Sequence, residues 1–272
     1  MTAAGRPFPW GPALLFCPAD RPERYAKALE RADAVILDLE DAVDPARRVA
    51  AREALVASDL DPARVIVRVN PAATDDHDAD VSALAATPYR AVMLPKAEGV
   101  GDLARLSGYD VIALCETAAG VLAAPSLAQD PSVLALMWGA EDLVASLGGT
   151  SSRHADGRYR DVARAARSAV LLAAAAGGVH AIDTVHLDIA DLAGLAAEAE
   201  DAVAVGFAAT ACIHPGQVPT IRDAYRPSAA EVEAARSLLE AAAAAGGGVF
   251  RHAGKMVDGP VLAHARAVLR RS

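Results

Sequence analysis

The most regular feature of the chain is a repeat of short apolar segments separated by alanine-rich stretches that carry charges at helical spacing. Eight of these segments have the length of β-strands and are bounded by turn residues. Most are nearly continuous in hydrophobicity rather than alternating, which is typical of parallel strands covered on both faces. They lie at 13–18, 34–39, 64–69, 91–96, 110–115, 132–139, 180–186 and 207–214.

The order of these segments predicts an α/β fold, a (β/α)8 barrel, because each strand is followed by a stretch that can form a helix. We expect the catalytic barrel to span residues 1–225. Residues 226–272 are expected to form a C-terminal helical extension, whose first helix is capped by Ser228. At the start of the first barrel helix, the spacing of acidic residues and proline predicts Asp20 as the N-cap.

Composition narrows the class of protein. The chain has 272 residues, of which 53% are hydrophobic, so it can bury a large core without disulfides or a structural metal. Its net charge is −9 and no block of basic residues stands out, which argues against nucleic acid and membrane surfaces as partners. A small-molecule substrate is the expected partner.

The cysteines and the apolar runs bear on the compartment. Cys17, Cys115 and Cys212 lie far apart, without the close pairing of zinc or redox motifs, and we expect reduced, buried thiols. No apolar run approaches the roughly 20 residues that a membrane helix needs, and the N-terminal apolar run is too short for a secretion signal. These features predict a cytoplasmic enzyme.

Polar residues terminate nearly every predicted strand, and barrel enzymes carry their chemistry at these C-terminal ends. Each of these residues alone is as readily a helix cap or a surface group, but together they predict an active site. They are Asp38 and Glu40, Arg68 and Asn70, Lys96, Glu116, Glu141 and Asp142, Asp183 and His186, and His214.

Two acids on neighbouring strands suggest a metal site. Glu116 ends the fifth strand and Asp142 follows the sixth, and neighbouring strands lie about 4.8 Å apart. Carboxylates without nitrogen or sulfur ligands favour a hard cation such as Mg2+. The alternative is that Asp142 caps the following helix and Glu116 interacts with a helix dipole.

A cluster of carboxylates at the end of the second strand needs positive partners, because buried like charges repel. Arg68, one strand away from Asp38 and Glu40, can balance them and hold a substrate carboxylate with two hydrogen bonds. Lys96 adds a second cation. The alternatives are a purely structural ion network and, for Lys96, a Schiff base with the substrate.

The chain resembles the citrate lyase beta subunit-like proteins of the HpcH/HpaI aldolase superfamily, which includes malyl-CoA lyases. The resemblance covers essentially the whole chain and is carried by an ordered set of motifs. These are LFCPADRPERYAKAL, ADAVILDLEDAV, RVNP, MLPKAE, ALCETAAGV, WGAEDL, CIHPGQ and GKMVDGP.

The resemblance implies a magnesium-dependent lyase that cleaves a 3-hydroxyacyl-CoA to acetyl-CoA and a 2-oxo acid, or forms it. Malyl-CoA, citramalyl-CoA and 3-hydroxy-3-methylglutaryl-CoA are the expected substrates. A citryl-thioester lyase subunit of a citrate lyase assembly and an acyl-CoA-binding protein with little turnover are the alternatives. Such enzymes lend an acid of the extension to a neighbouring subunit, which implies a homotrimer with a shared site.

The candidate site residues fall into three groups. The resemblance implies the first two groups, except for Lys96, and the third depends on the charges of the first helix. Metal ligands are Glu116 and Asp142. The catalytic and substrate-binding residues are Arg68, Glu40, Asp38 and Asp258, together with Gly139, Ala140, Glu141 and Lys96. For the phosphates of CoA, Arg21, Arg24 and Lys27 offer positive charge on one stripe of the first helix; the alternative is an ordinary solvated face.

Overall fold

The strands form a closed barrel in which each is parallel to its neighbours. A computed structural model describes residues 6–245 and 248–272. All eight predicted strands are present, and the predicted (β/α)8 barrel is confirmed. The strands are β1 Ala13–Pro18, β2 Ala34–Asp38, β3 Val65–Arg68, β4 Ala91–Leu94, β5 Asp110–Cys115, β6 Val133–Trp138, β7 His180–Asp183 and β8 Ala209–Cys212.

The helices surround the barrel and connect its strands. They are α1 Tyr25–Arg31, α2 Arg48–Val56, α3 Asp75–Ala85, α4 Ala118–Leu127, α5 Ala140–Ser146, α6 Asp161–Gly177, α7 Leu192–Val205 and α8 Val218–Tyr225. Between β4 and β5 the connection is a 3-10 helix, Val100–Leu106. Side chains of Thr74, Thr117 and Asp191 accept hydrogen bonds from the first turns of α3, α4 and α7, as N-caps do.

The predicted cap at Asp20 is wrong. The first helical region begins with a 3-10 turn at Pro22–Arg24, and its N-cap residue, Arg21, makes no side-chain capping bond. The Asp20 carboxylate instead lies 3.0 Å from Nε of Arg47. A charged partner brought close by the fold attracts this carboxylate more strongly than the backbone amides of its own helix.

Side chains of the strands fill the inside of the barrel. The inward-facing residues are almost all aliphatic and buried, and include Ile36, Ile66, Met93, Ile112 and Met137. Removal of this apolar surface from water is the main favourable contribution to folding. The barrel is therefore a packed core, and chemistry is confined to its ends.

Strand register determines which residues meet at the C-terminal end. Asp38 pairs with Arg68 across β2 and β3, and Cys115 pairs with Trp138 across β5 and β6. The residues that follow the second pair, Glu116 and Gly139, are therefore neighbours.

Residues 222–272 form a second compact unit, whereas the first ends at Ile221. The second unit contains α9 Ala229–Ala244, strands β9 Phe250–His252 and β10 Lys255–Val257, and α10 Gly259–Leu269. Ser228 caps α9 together with Glu231, as predicted. The two strands form a hairpin whose turn residues, Ala253 and Gly254, both have positive φ. The role predicted for 226–272 stays a prediction.

Candidate active site

Arg68 and Asp38 form a buried, two-bonded ion pair. The guanidinium donates from Nε to Oδ1 of Asp38 at 2.7 Å and from Nη2 to Oδ2 at 2.5 Å. Backbone amides of Glu40 and Ala42 donate to the same carboxylate. Burial lowers the pKa of Arg68, but Asp38 and the nearby carboxylates raise it by more than burial lowers it, so the arginine stays charged.

Two cations also surround Glu40. Its Oε1 accepts a 2.5 Å hydrogen bond from Nζ of Lys96, and Oε2 lies 2.9 Å from Nη1 of Arg68. Burial raises the pKa of Glu40 above its ordinary range, while Arg68 and Lys96 partly oppose the rise. These contacts identify the positive partners of the carboxylates after the second strand, as expected.

The two predicted metal ligands approach the same ammonium group. Nζ of Lys96 lies 3.8 Å from Oε1 of Glu116 and 3.5 Å from Oδ1 of Asp142. Glu116 is 3% exposed, whereas the Asp142 side chain is 39% exposed. Burial raises the pKa of Glu116 to about 8, and the Asp142 carboxylate adds to the rise. A cation between these acids relieves both effects.

Lys96 contacts Glu116 with its backbone as well. Its amide donates to Oε1 of Glu116 at 3.1 Å, and its φ of 50° lies in the left-handed region, which lysine rarely adopts. Burial lowers the pKa of Lys96, but the hydrogen bond and charge of Glu40 and the other carboxylates raise it above its ordinary value. A protonated amine is no nucleophile, which argues against the Schiff-base alternative.

Several of these groups line a pocket of about 320 Å³. Its polar lining includes Asp38, Asp41, Arg68, Glu116 and Asp142, and much of the rest is apolar. Lys96 and Glu40 contact these side chains but do not line the pocket. Predicted substrate-binding residues Gly139, Ala140 and Glu141 also line this pocket, where β6 turns into α5. The apolar wall consists of Phe16, Leu114, Met137, Val185, Leu187 and Ile213.

Position 139 requires glycine because Glu116 lies too close to leave room for a side chain. A Cβ placed on Gly139 meets Oε2 of Glu116 at 2.8 Å and its Cβ at 2.9 Å, closer than real Cβ atoms approach. The Cβ of Glu116 is attached to the backbone directly after β5 and cannot move aside. The absence of a side chain at position 139 therefore sets the place of the Glu116 carboxylate.

Substitution of Gly139 by alanine is expected to displace the Glu116 carboxylate and weaken magnesium binding by about tenfold or more, as changes beside metal ligands do. Calorimetric titration of the purified variant with Mg2+ measures the effect. Gly101→Ala is the matched control, because a Cβ at Gly101 meets nothing within 4 Å. Equal affinities of wild type and Gly139→Ala would contradict this account of the glycine.

The raised pKa of Glu116 predicts how metal affinity changes with pH. The folded, metal-free protein holds a proton on Glu116 up to about pH 8, whereas the ordinary value is 4.5. This group's contribution to stability is therefore lost as pH rises from about 4.5 to about 8. Because Mg2+ displaces the proton of Glu116, the affinity for Mg2+ should rise by up to about tenfold for each pH unit between pH 6 and 8. Above pH 8 it should become constant.

Isothermal titration in buffers of different ionisation enthalpy measures both the affinity and the proton released. In Glu116→Gln the dependence should disappear, because no proton is then displaced at that position. An affinity independent of pH between 6 and 8 in the wild-type protein would be inconsistent with the assignment of Glu116.

The donor set fits magnesium although it is small. Within residues 6–245 and 248–272, no group of three or more His, Cys, Asp and Glu side chains is arranged to hold a metal. Glu116 and Asp142 provide two carboxylates, and magnesium is usually bound through one or two carboxylates while it keeps several waters. The ammonium of Lys96 beside both acids shows that this position favours positive charge.

The predicted phosphate-binding residues are only partly brought together. Arg21 and Arg24 line a groove of about 450 Å³, in which Arg47 is the third basic residue. Lys27 is exposed and does not line this groove. Sequence reasoning missed Arg47 because it follows the second strand and approaches α1 only in the folded protein. Ala42 lines both this groove and the active-site pocket.

Asp258 lies in the second unit, where its carboxylate caps α10 by accepting from the amide of Val261 at 3.4 Å. Its predicted catalytic role stays a prediction.

The remaining polar strand ends have structural partners. Asn70 hydrogen-bonds the buried Asp80, and Asp183 accepts from Arg167 and from the indole of Trp138. Nδ1 of His186 lies 2.9 Å from Glu198, and His214 caps a 3-10 turn. The active-site pocket does not include these side chains.

Comparison with known proteins identifies the family. A model of the HpcH/HpaI aldolase/citrate lyase family matches residues 13–215. The chain belongs to this family. The resemblance stated from the motifs is thereby confirmed. Among the described residues, no helix is long and apolar enough to cross a membrane.

Relatives of this family match nearly the whole chain. The citrate lyase subunit beta-like protein of Mycobacterium tuberculosis strain H37Rv is 56% identical over 262 residues, which is 96% of each protein. A (3S)-malyl-CoA thioesterase of Cereibacter sphaeroides strain KD131 is 33% identical over 273 residues, 96% of this chain and 94% of that protein.

A solved structure of the family is also close. The crystal structure of CitE from Mycobacterium tuberculosis, in complex with magnesium, acetoacetate and coenzyme A, superimposes with a TM-score of 0.91 at 55% identity. It covers 96% of this chain and 98% of that chain. The protein of that structure was crystallised with magnesium and coenzyme A, the metal and the carrier that the resemblance implies here, and with acetoacetate, which is a 3-oxo acid.

Proposed function

We propose that this protein is a magnesium-dependent carbon-carbon lyase that cleaves a 3-hydroxyacyl-CoA to acetyl-CoA and an oxo acid, or catalyses the reverse condensation. The observation that carries the proposal is the joint placement of Glu116 and Asp142 beside Lys96, in one pocket with Arg68. Malyl-CoA and citramalyl-CoA would give the 2-oxo acids glyoxylate and pyruvate. 3-Hydroxy-3-methylglutaryl-CoA would instead give acetoacetate, a 3-oxo acid, so the expectation of a 2-oxo acid product is wrong for this substrate.

Glu116 and Asp142 would hold the magnesium ion, which supplies polarisation of the carbonyl oxygen when bound. Arg68 would bind the carboxylate of the oxo acid. Asp38 already accepts from Nε and Nη2, and Oε2 of Glu40 lies 2.9 Å from Nη1, so the substrate carboxylate would have to use the remaining protons of Nη1 and Nη2. The backbone at Gly139, Ala140 and Glu141 lines the same pocket and completes the proposed oxo-acid site.

Lys96 would place a positive charge beside the substrate, and Glu40 would hold or transfer a proton there. The Lys96 ammonium lies beside Glu116 and Asp142, the two proposed metal ligands, where it can stabilise developing negative charge. Burial raises the pKa of Glu40 while Arg68 and Lys96 oppose the rise, and a raised pKa favours a carboxyl that transfers a proton. Asp258 is the second candidate for proton transfer.

Arg21, Arg24 and Arg47 would bind phosphates of CoA in the groove beside the pocket. Nearby acids reduce the net charge of the groove, since Asp20 lies within 4 Å of both Arg21 and Arg47. Cys17, Cys115 and Cys212 are buried and form no disulfide with one another, which suits a reducing compartment and supports the proposal of a cytoplasmic enzyme.

A panel of 3-hydroxyacyl-CoA thioesters tests the function. Purified protein should release acetyl-CoA and an oxo acid from at least one of malyl-, citramalyl- and 3-hydroxy-3-methylglutaryl-CoA, and EDTA should stop the release. Chromatography of the products separates two other outcomes. Free CoA and intact malate would indicate a thioesterase, the activity named for the Cereibacter sphaeroides relative, and no turnover would favour a carrier-dependent or binding protein.

We also propose a homotrimer in which Asp258 acts in the site of a neighbouring subunit. Asp258→Ala and Asp142→Ala should each be inactive alone but recover activity when refolded together, because mixed trimers contain sites that lack neither acid. Rescue should reach a modest fraction of wild-type turnover. Absence of rescue in trimers shown by light scattering to contain both variants would contradict the shared site.

A further inference from the structure

The segment between α5 and α6, residues 147–160, is held firmly although it contains no helix. Ser152 is 2% exposed, and its hydroxyl donates to Oε1 of Glu141. The amide of Arg160 donates to the Ser152 carbonyl at 2.8 Å. Arg153 and Tyr159 form an antiparallel bridge within the segment. The segment is therefore folded back on itself and is attached to the first turn of α5.

A second attachment reaches the end of β6. The ring of Tyr159 packs edge-on against Trp138, with 5.3 Å between centroids and an interplanar angle of 69°. The Arg153 guanidinium lies 3.7 Å above the Tyr159 ring and forms an ion pair with Glu198 of α7. The Trp138 indole donates to Asp183 at 2.6 Å. These contacts fix Trp138 from two sides.

The two attachments lie on either side of the turn from β6 into α5. Trp138 precedes this turn and Glu141 follows it, so Gly139 and Ala140 lie between the fixed residues. Asp142 comes next in α5. The backbone of Gly139 and Ala140 has few ways to shift when both of its ends are fixed.

We propose that Ser152 and Tyr159 are positioning residues for the oxo-acid end of the active site. Ser152 fixes Glu141, and Tyr159 fixes Trp138, so that the pocket keeps one shape without the substrate. This inference rests on the proposed function. Neither residue lines the pocket, and each acts through the residue that it contacts.

Kinetics of the condensation direction separate positioning from general stability, because the oxo acid and acetyl-CoA then have separate KM values. In Ser152→Ala we expect the KM for the oxo acid to rise about tenfold, since a hydrogen bond to a charged group is lost. The KM for acetyl-CoA should stay within about twofold, because the serine contacts only the oxo-acid end. Ser151→Ala is the matched control. Its exposed hydroxyl donates to the carbonyl of Arg153 and accepts from the amide of the same residue, while the side chain of Arg153 keeps its contacts with Tyr159 and Glu198, so both KM values should be unchanged.

Tyr159 provides a second, independent pair of variants. Tyr159→Phe loses the hydroxyl that accepts a 2.5 Å hydrogen bond from Arg153 but keeps the ring against Trp138, so it should stay near wild type. Tyr159→Leu loses the ring and should raise the KM for the oxo acid. Hydrogen-deuterium exchange of residues 140–146 is the readout that does not depend on activity. Exchange should become faster in Ser152→Ala and Tyr159→Leu and stay unchanged in Ser151→Ala and Tyr159→Phe.

Wild-type exchange in both Ser152→Ala and Tyr159→Leu, with an unchanged KM for the oxo acid, would overturn the proposal. If Ser152→Ala does not fold, the Tyr159 pair decides. If wild type condenses no oxo acid with acetyl-CoA, the proposed function fails, and the exchange data still decide whether the segment positions α5.

Discussion

Replacement of Asp142 by alanine is expected to lower magnesium-dependent turnover by at least about 1,000-fold while the barrel stays folded. A metal ion contributes several kcal/mol to the transition state, and each 1.36 kcal/mol is a factor of ten in rate. The side chain of Asp142 is 39% exposed and lies 3.5 Å from the Lys96 ammonium, which also contacts Glu40 and Glu116. Its removal therefore leaves no buried group without a partner.

Turnover, Mn2+ binding by electron paramagnetic resonance and the urea midpoint together measure this prediction. Asp41→Asn is the matched control. Asp41 also lies 3.8 Å from the Lys96 ammonium, but its side chain is 59% exposed and it is not a proposed ligand. Asp41→Asn should retain metal binding and most of the turnover. Full activity of Asp142→Ala, or its loss only through unfolding, would remove the metal assignment.

Replacement of Arg68 by alanine is expected to cost about 3 to 5 kcal/mol of unfolding free energy as well as turnover, because it breaks a buried ion pair and leaves a charge without its partner. Asp38 is 1% exposed and Glu40 is 2% exposed, and both face Arg68. Lys96 can still balance Glu40. Its ion pairs within the described residues are with Glu40, Asp41, Glu116 and Asp142, and do not include Asp38. The larger part of the cost therefore falls on Asp38.

Urea denaturation measures this free energy. Arg68→Lys keeps the charge but loses the two-bonded geometry, so it should recover part of the stability and little of the turnover. Arg31→Ala removes an exposed arginine at the end of α1 and should change stability by less than about 0.5 kcal/mol. Arg68→Ala as stable as Arg31→Ala would show that the cluster does not depend on this guanidinium.

The strands were predictable because burial on both faces leaves a continuous apolar signal in the sequence. The pairing of Arg68 with Asp38 was predictable for a related reason, since both end adjacent parallel strands and the register places them side by side. The closeness of Glu116 and Asp142 to one another, with the Lys96 ammonium beside both, was predictable for the same reason, since they follow adjacent strands.

The parts of the site that were not predictable depend on contacts between distant segments or on unusual backbone. Asp20 satisfies the local pattern of a cap, but Arg47, 27 residues further along the chain, approaches it only in the folded protein. Ser152 lies in a polar segment whose composition also suits a solvated loop, and its burial depends on Glu141. No propensity predicts a left-handed lysine at position 96.

The two contacts of Lys96 with Glu116 have a consequence for redesign of the metal site. One contact uses the main chain and persists whatever side chain is present, while the other uses the ammonium. Asparagine tolerates the same backbone conformation better than most residues. Lys96→Asn should thus remove one positive charge beside the proposed metal site but leave the orientation of Glu116 intact. The variant would therefore change the charge at the site without changing the geometry of its ligand.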